Sequence, residues 1–107
     1  MTRLSPQEAV AVALEHARGT CSALEMLMLK GPLQKVIGQL YAMNSVGTGR
    51  YNSHEAAEII IKQAVANGHN AATVRSKVQS VVASMYEAGV YAAVGIDGFY
   101  LAKGDPK

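Results

Sequence analysis

Apolar positions recur at helical spacing along most of the chain. Val74, Val78, Val81, Val82 and Met85 follow the i, i+4, i+7, i+8, i+11 rhythm of one buried helical face. Asn70 can cap this helix, and Gly89 can end it by tolerating a left-handed exit. Its opposite face shows Thr73, Ser76, Gln79, Ser80 and Ala83, with Arg75 and Lys77 on the shoulders and no acid before Glu87. Runs rich in Val, Tyr, Phe and Leu then flank Asp97-Gly98, a two-residue hairpin signal.

The same reading accounts for the rest of the chain. Ser5-Pro6-Gln7-Glu8 is a compact helix start, followed by Val10, Ala13, Leu14 and Ala17 on one face and a stop near Gly19. Thr20 or Ser22 opens a second helix, with Glu25 in box position behind Ser22. Leu24, Met26, Leu27, Met28 and Leu29 make it apolar nearly all round, which requires burial in the core or against a second copy. Gly31-Pro32 is expected to separate it from a helix over 33–43 with Leu33, Val36, Ile37, Leu40 and Tyr41 on one face. Residues 44–50 read as a loop, with a short edge strand near Tyr51. Asn52 or Ser53 begins a helix whose inner face is Ala56, Ala57, Ile60, Ile61 and Ala64, and Gly68 ends it. Only His69 then precedes the Asn70 cap, so a sharp angle between successive helices is expected, as in a helix-turn-helix. No internal repeat stands out.

Composition narrows the class. At 107 residues, half apolar and 17% charged, the chain is expected to form one folded domain, mainly α with a small β-hairpin (α+β). The net charge of +2 permits nucleic-acid binding without announcing it. The distribution is more informative: between Ile59 and Tyr86 there is no Asp or Glu, whereas Lys62, Arg75 and Lys77 are present. Cys21 is single, so no internal disulfide can form. No signal-peptide pattern is visible, and no apolar run approaches the roughly 20 residues of a membrane-spanning helix, so a cytoplasmic location is expected.

From Pro32 onward the order is helix, short extended piece at Arg50-Tyr51, helix, tight turn, helix, hairpin. This order resembles the winged helix-turn-helix family, a DNA-binding class. The string Ala72-Thr73-Val74-Arg75-Ser76-Lys77, the exit at Glu87-Ala88-Gly89 and the strand Gly98-Phe99-Tyr100-Leu101 carry the likeness. Residues 32–103 would be the winged-helix core, and 5–30 an extension of two additional N-terminal helices, able to dimerise through Leu24, Leu27 and Met28. The resemblance implies that the 70–88 helix enters the major groove of double-stranded DNA, with Asn70, Thr73, Arg75, Ser76, Lys77 and Gln79 facing it. Arg50, Lys35, Lys62 and Lys103 would contact phosphates. The 53–67 helix is longer than the family's second helix, and Asp97 stands where a phosphate-touching wing carries a cation.

Catalytic chemistry is discounted. His54 and Glu58 lie one helical turn apart but lack the further ligand a zinc site needs. Cys21 and His16 lack an activating base and an oxyanion site. Gly47-Thr48-Gly49-Arg50 lacks the Lys-Ser/Thr ending of a phosphate cradle. Neither catalytic residues, nor a metal, nor a cofactor is therefore expected. The expected function is a sequence-selective transcriptional regulator acting as a homodimer. The alternatives are a protein-interaction module on the same fold, docking through its N-terminal helices, and a DNA coater without sequence preference.

Overall fold

A computed structural model describes residues 2–43, 49–96 and 98–104. The chain is mainly helical, with a small antiparallel sheet. In order the elements are β1 (Thr2–Arg3), α1 (Pro6–Thr20), α2 (Ala23–Ala42), β2 (Gly49–Arg50), α3 (Ser53–Ala66), α4 (Ala71–Glu87), β3 (Val90–Gly95) and β4 (Gly98–Lys103). The strands lie in the order β1-β4-β3-β2. Helical side chains and Val90, Ala92, Phe99 and Leu101 from one sheet face share the main core.

Helix starts follow local chemistry. Ser5, Ser22 and Asn52 each accept a hydrogen bond from the backbone three residues on, while Glu8, Glu25 and Glu55 reach back to the cap. Asn70 caps α4 alone, because Thr73 occupies the place of the returning acid. At the exit of α4, Gly89 has φ +85°, the left-handed geometry that suits glycine.

Three expectations are corrected. Gly31-Pro32 does not separate two helices: α2 runs through both residues and across the boundary drawn between extension and core. An internal proline removes a helix hydrogen bond and costs about 3 kcal/mol. Leu29, Leu33, Val36, Ile37 and Leu40 form one buried face only if the helix is continuous. At roughly 1.5–3 kcal/mol per buried side chain, that face outweighs the proline. The hairpin turn lies one residue earlier than expected, since Gly98 already pairs with Gly95; Asp97 falls outside the described residues. Finally, α3 and α4 do not diverge sharply at His69. Ala57 and Gln79 line one groove with Ser53 and His54, although each lies roughly 12 Å along its helix from the joint. Arg75 of α4 also pairs with Glu58 of α3. The two helices run side by side.

A further correction concerns repetition, because the fold is built from two similar halves. Arg3-Leu4-Ser5 leaves the sheet into α1 as Arg50-Tyr51-Asn52 leaves it into α3. Leu4 N–H donates to Leu101 carbonyl, and Tyr51 N–H to Ala92 carbonyl, both at 2.9 Å. Tyr41 at the end of α2 donates its hydroxyl to Leu4 carbonyl (2.9 Å) and accepts from Leu101 N–H (2.8 Å). Tyr86 at the end of α4 donates to Tyr51 carbonyl (2.7 Å) and accepts from Ala92 N–H (3.0 Å). Burial raises the pKa of both phenols.

The correspondence extends to the other contacts. His16 Nδ1 meets Ser84 Oγ at 2.8 Å between α1 and α4, and Gln63 donates to Gln39 at 3.0 Å between α3 and α2. On the outer sheet face, Arg3 stacks over Tyr100 (4.5 Å) and Arg50 over Tyr91 (3.6 Å). The strings LKGPLQKVIGQLY (29–41) and VRSKVQSVVASMY (74–86) align, as do GVYAAVG (89–95) and GFYLAKG (98–104). An approximate internal two-fold therefore relates β1-α1-α2 with β4 to β2-α3-α4 with β3.

Candidate nucleic-acid interface

The exposed side of α4 carries four of the residues that the winged-helix resemblance singled out, Thr73, Arg75, Ser76 and Gln79. Core contacts fix its orientation: Val74, Val78, Val81, Val82 and Met85 are buried, so Thr73, Arg75, Ser76, Gln79, Ser80 and Ala83 are exposed by helical geometry. Asn70 is also exposed, but its Oδ1 already accepts from Thr73 N–H at 3.1 Å and serves as the helix cap.

The two cations of α4 turn sideways toward acids on neighbouring helices. Arg75 pairs with Glu58 on α3, both side chains remaining partly exposed. Lys77 Nζ lies 2.6 Å from Glu25 Oε2 on α2. The Lys77 hydrogen bond holds the Glu25 carboxyl below its ordinary value, with the Ser22 cap adding to the effect. In return, Glu25 raises the Lys77 ammonium. Lys77 therefore braces α4 against α2, whereas Arg75 lies at the margin of the exposed face. Neither acid was expected as a partner, because the pairing is visible only after the helices pack.

The remaining four candidates lie on other elements. Lys35 is exposed on α2 and Lys62 on α3, Lys103 is exposed at the end of β4, and Arg50 is exposed on β2 against the Tyr91 ring. Arg50 and Lys103 thus belong to the sheet, and no shared site with α4 follows from their placement.

Leu24, Leu27 and Met28 are 68%, 76% and 57% exposed on the first turns of α2, whereas Leu29 is buried. This excludes burial in the chain's own core for these three. Beside them opens a groove of about 340 Å³ lined by Glu25, Met28 and Leu29 of α2, by Thr73, Val74 and Lys77 of α4, and by His69 and Asn70 before it. The other discounted chemistry acquires ordinary roles. Glu58 is engaged by Arg75, and Cys21 packs partly buried against the core.

Compared with known proteins, the chain matches no family model, no curated protein and no solved structure. No described helix is long and apolar enough to cross a membrane.

Proposed function

We propose that the chain is a DNA-binding module whose contact element is the outward face of α4. One observation carries the reading. Thr73, Arg75, Ser76, Gln79 and Ser80 form a contiguous exposed face on a helix that has no acid before Glu87. Gln79 can satisfy an adenine edge and Arg75 a guanine edge or a phosphate. The Arg75–Glu58 pair is no obstacle, because exposed ion pairs are worth only about 0–1 kcal/mol and exchange readily for phosphate. Asn70 acts as the cap and Lys77 as a brace, while Lys35 and Lys62 supply flanking charge. The winged-helix likeness supports this reading only through the order α3, α4, hairpin, since α3 and α4 run side by side.

The test is fluorescence anisotropy on duplex DNA selected from a random pool, as a function of salt. Affinity should fall steeply with ionic strength, and Arg75→Ala with Gln79→Ala should lower it at least tenfold with an unchanged circular dichroism spectrum. Absence of binding at low salt, or full affinity in the double variant, sinks the reading. Selection of no preferred sequence would favour a coating role.

A second reading, a protein-interaction module or homodimer, is favoured by the exposure of Leu24, Leu27 and Met28 beside the groove. Light scattering at micromolar concentration should then give a dimer that Leu27→Asp dissociates. A monomer would leave the patch to a different protein.

A further inference from the structure

The internal two-fold duplicates the proposed contact helix. Aligned by their core residues, α2 and α4 place Leu29, Leu33, Val36, Ile37 and Leu40 against Val74, Val78, Val81, Val82 and Met85, all buried. The residues between them then correspond as well. Lys30, Gly31, Gln34, Lys35 and Gly38 on α2 match Arg75, Ser76, Gln79, Ser80 and Ala83 on α4, and all ten are exposed. Each face begins with a cation, carries a glutamine one turn later and keeps small residues at its centre, where a groove wall can approach closely. From Met26 to Ala42, α2 has no acid, as α4 has none before Glu87.

The two faces start from a common point. The groove between the helices is lined by Glu25, Met28 and Leu29 together with their counterparts Asn70, Thr73 and Val74, so the internal axis passes through it. The Lys77–Glu25 pair ties the helices together there. Gln34 and Gln79 each lie about 9 Å along their helix beyond Met28 and Thr73.

Resting on the DNA-binding reading, we infer that α2 is a second contact helix for the same duplex, using Lys30, Gln34 and Lys35. One chain thereby presents two related heads, as a symmetric dimer of ordinary regulators does. Charge complementarity selects DNA as the occupant of the α2 face: Lys30 and Lys35 have no carboxylate partner among the described residues. Protein symmetry is mirrored in the preferred site, which should be a compact, imperfect inverted repeat bound by one chain. The imperfection follows from the heads themselves, since α2 has Lys35 where α4 has Ser80.

The experiment measures anisotropy with the full chain on its selected duplex, comparing three variants. These are Lys30→Ala with Gln34→Ala, Arg75→Ala with Gln79→Ala, and all four together. All four side chains are exposed, and circular dichroism checks the fold. Each pair should weaken binding roughly tenfold or more, and scrambling either half of the inverted repeat should have a similar effect. Full affinity of the α2 variant, alongside loss in the α4 variant, overturns the second head and leaves the single-helix reading standing. A wild-type chain that binds no duplex at low salt overturns both.

Discussion

The two halves of the molecule repeat one another where the chain meets the sheet and along the outward faces of α2 and α4, and differ most at the N-terminal turns of those two helices. Both halves have an arginine on the outer sheet face, a capped helix, an apolar second helix and a tyrosine whose hydroxyl joins two strands. Their differences lie at the helix ends away from those tyrosines. There α2 extends into exposed Leu24, Leu27 and Met28, whereas α4 begins at the bare Asn70 cap. Pro32 of α2 corresponds to Lys77 of α4, so the brace to Glu25 exists on one side only. The shared contacts build the fold, and the surfaces that differ are where the halves can take separate roles.

The strongest test of equivalence is the pair of tyrosines. Tyr41→Phe and Tyr86→Phe each leave a strand N–H without its hydroxyl acceptor, at Leu101 and Ala92. Each should cost about 1–3 kcal/mol in urea unfolding. Similar losses would confirm that the halves share their load, whereas a loss from one alone would break the comparison. The caps should come next. Ser5→Ala and Asn52→Ala each remove an acceptor for the N–H three residues on, at about 1 kcal/mol apiece.

The smallest effect is the one-sided brace. Glu25 is lowered from an ordinary value of 4.5, chiefly by Lys77, so its contribution is present above that pH and lost as pH falls through the depressed value. Lys77 is raised from 10.5, so its contribution holds below that pH and is lost only as pH rises through the raised value. Urea midpoints followed from pH 6 to pH 2 should fall less steeply in Lys77→Gln than in the parent. An unchanged slope would remove the brace from the account.

Much of the fold was legible because its signals are local. The Ser5 and Asn70 caps and the buried faces of α3 and α4 were readable from spacing, while Ser22 and Asn52 each stood as one of two candidate caps. On α1 the buried face is Ala9, Ala13 and Ala17, with Val10 and Leu14 only half-buried. The continuity of α2 was not, because Gly31-Pro32 is a strong local breaker that only the burial of Leu29 with Leu33 overrides. The duplication was missed for a different reason. Its strand repeats lie side by side at the C-terminus, and β4 joins the N-terminal half by pairing with β1 across nearly the whole chain. The α4 face was found from its lack of acids. The matching face on α2 was divided by the break expected at Gly31-Pro32, and only Lys35 was recognised.

By itself the sequence determined most helix starts and the buried faces of α3 and α4, because those choices depend on contacts within a few residues. The exceptions were a start at Leu33 that α2 runs through and a hairpin turn set one residue late. The tertiary structure alone decided that Leu24, Leu27 and Met28 stay exposed and that Lys77 turns to Glu25. It also decided that two helix faces meet across one axis. These outcomes depend on which surfaces remain after packing and on charges far apart in the chain, and no local preference encodes either.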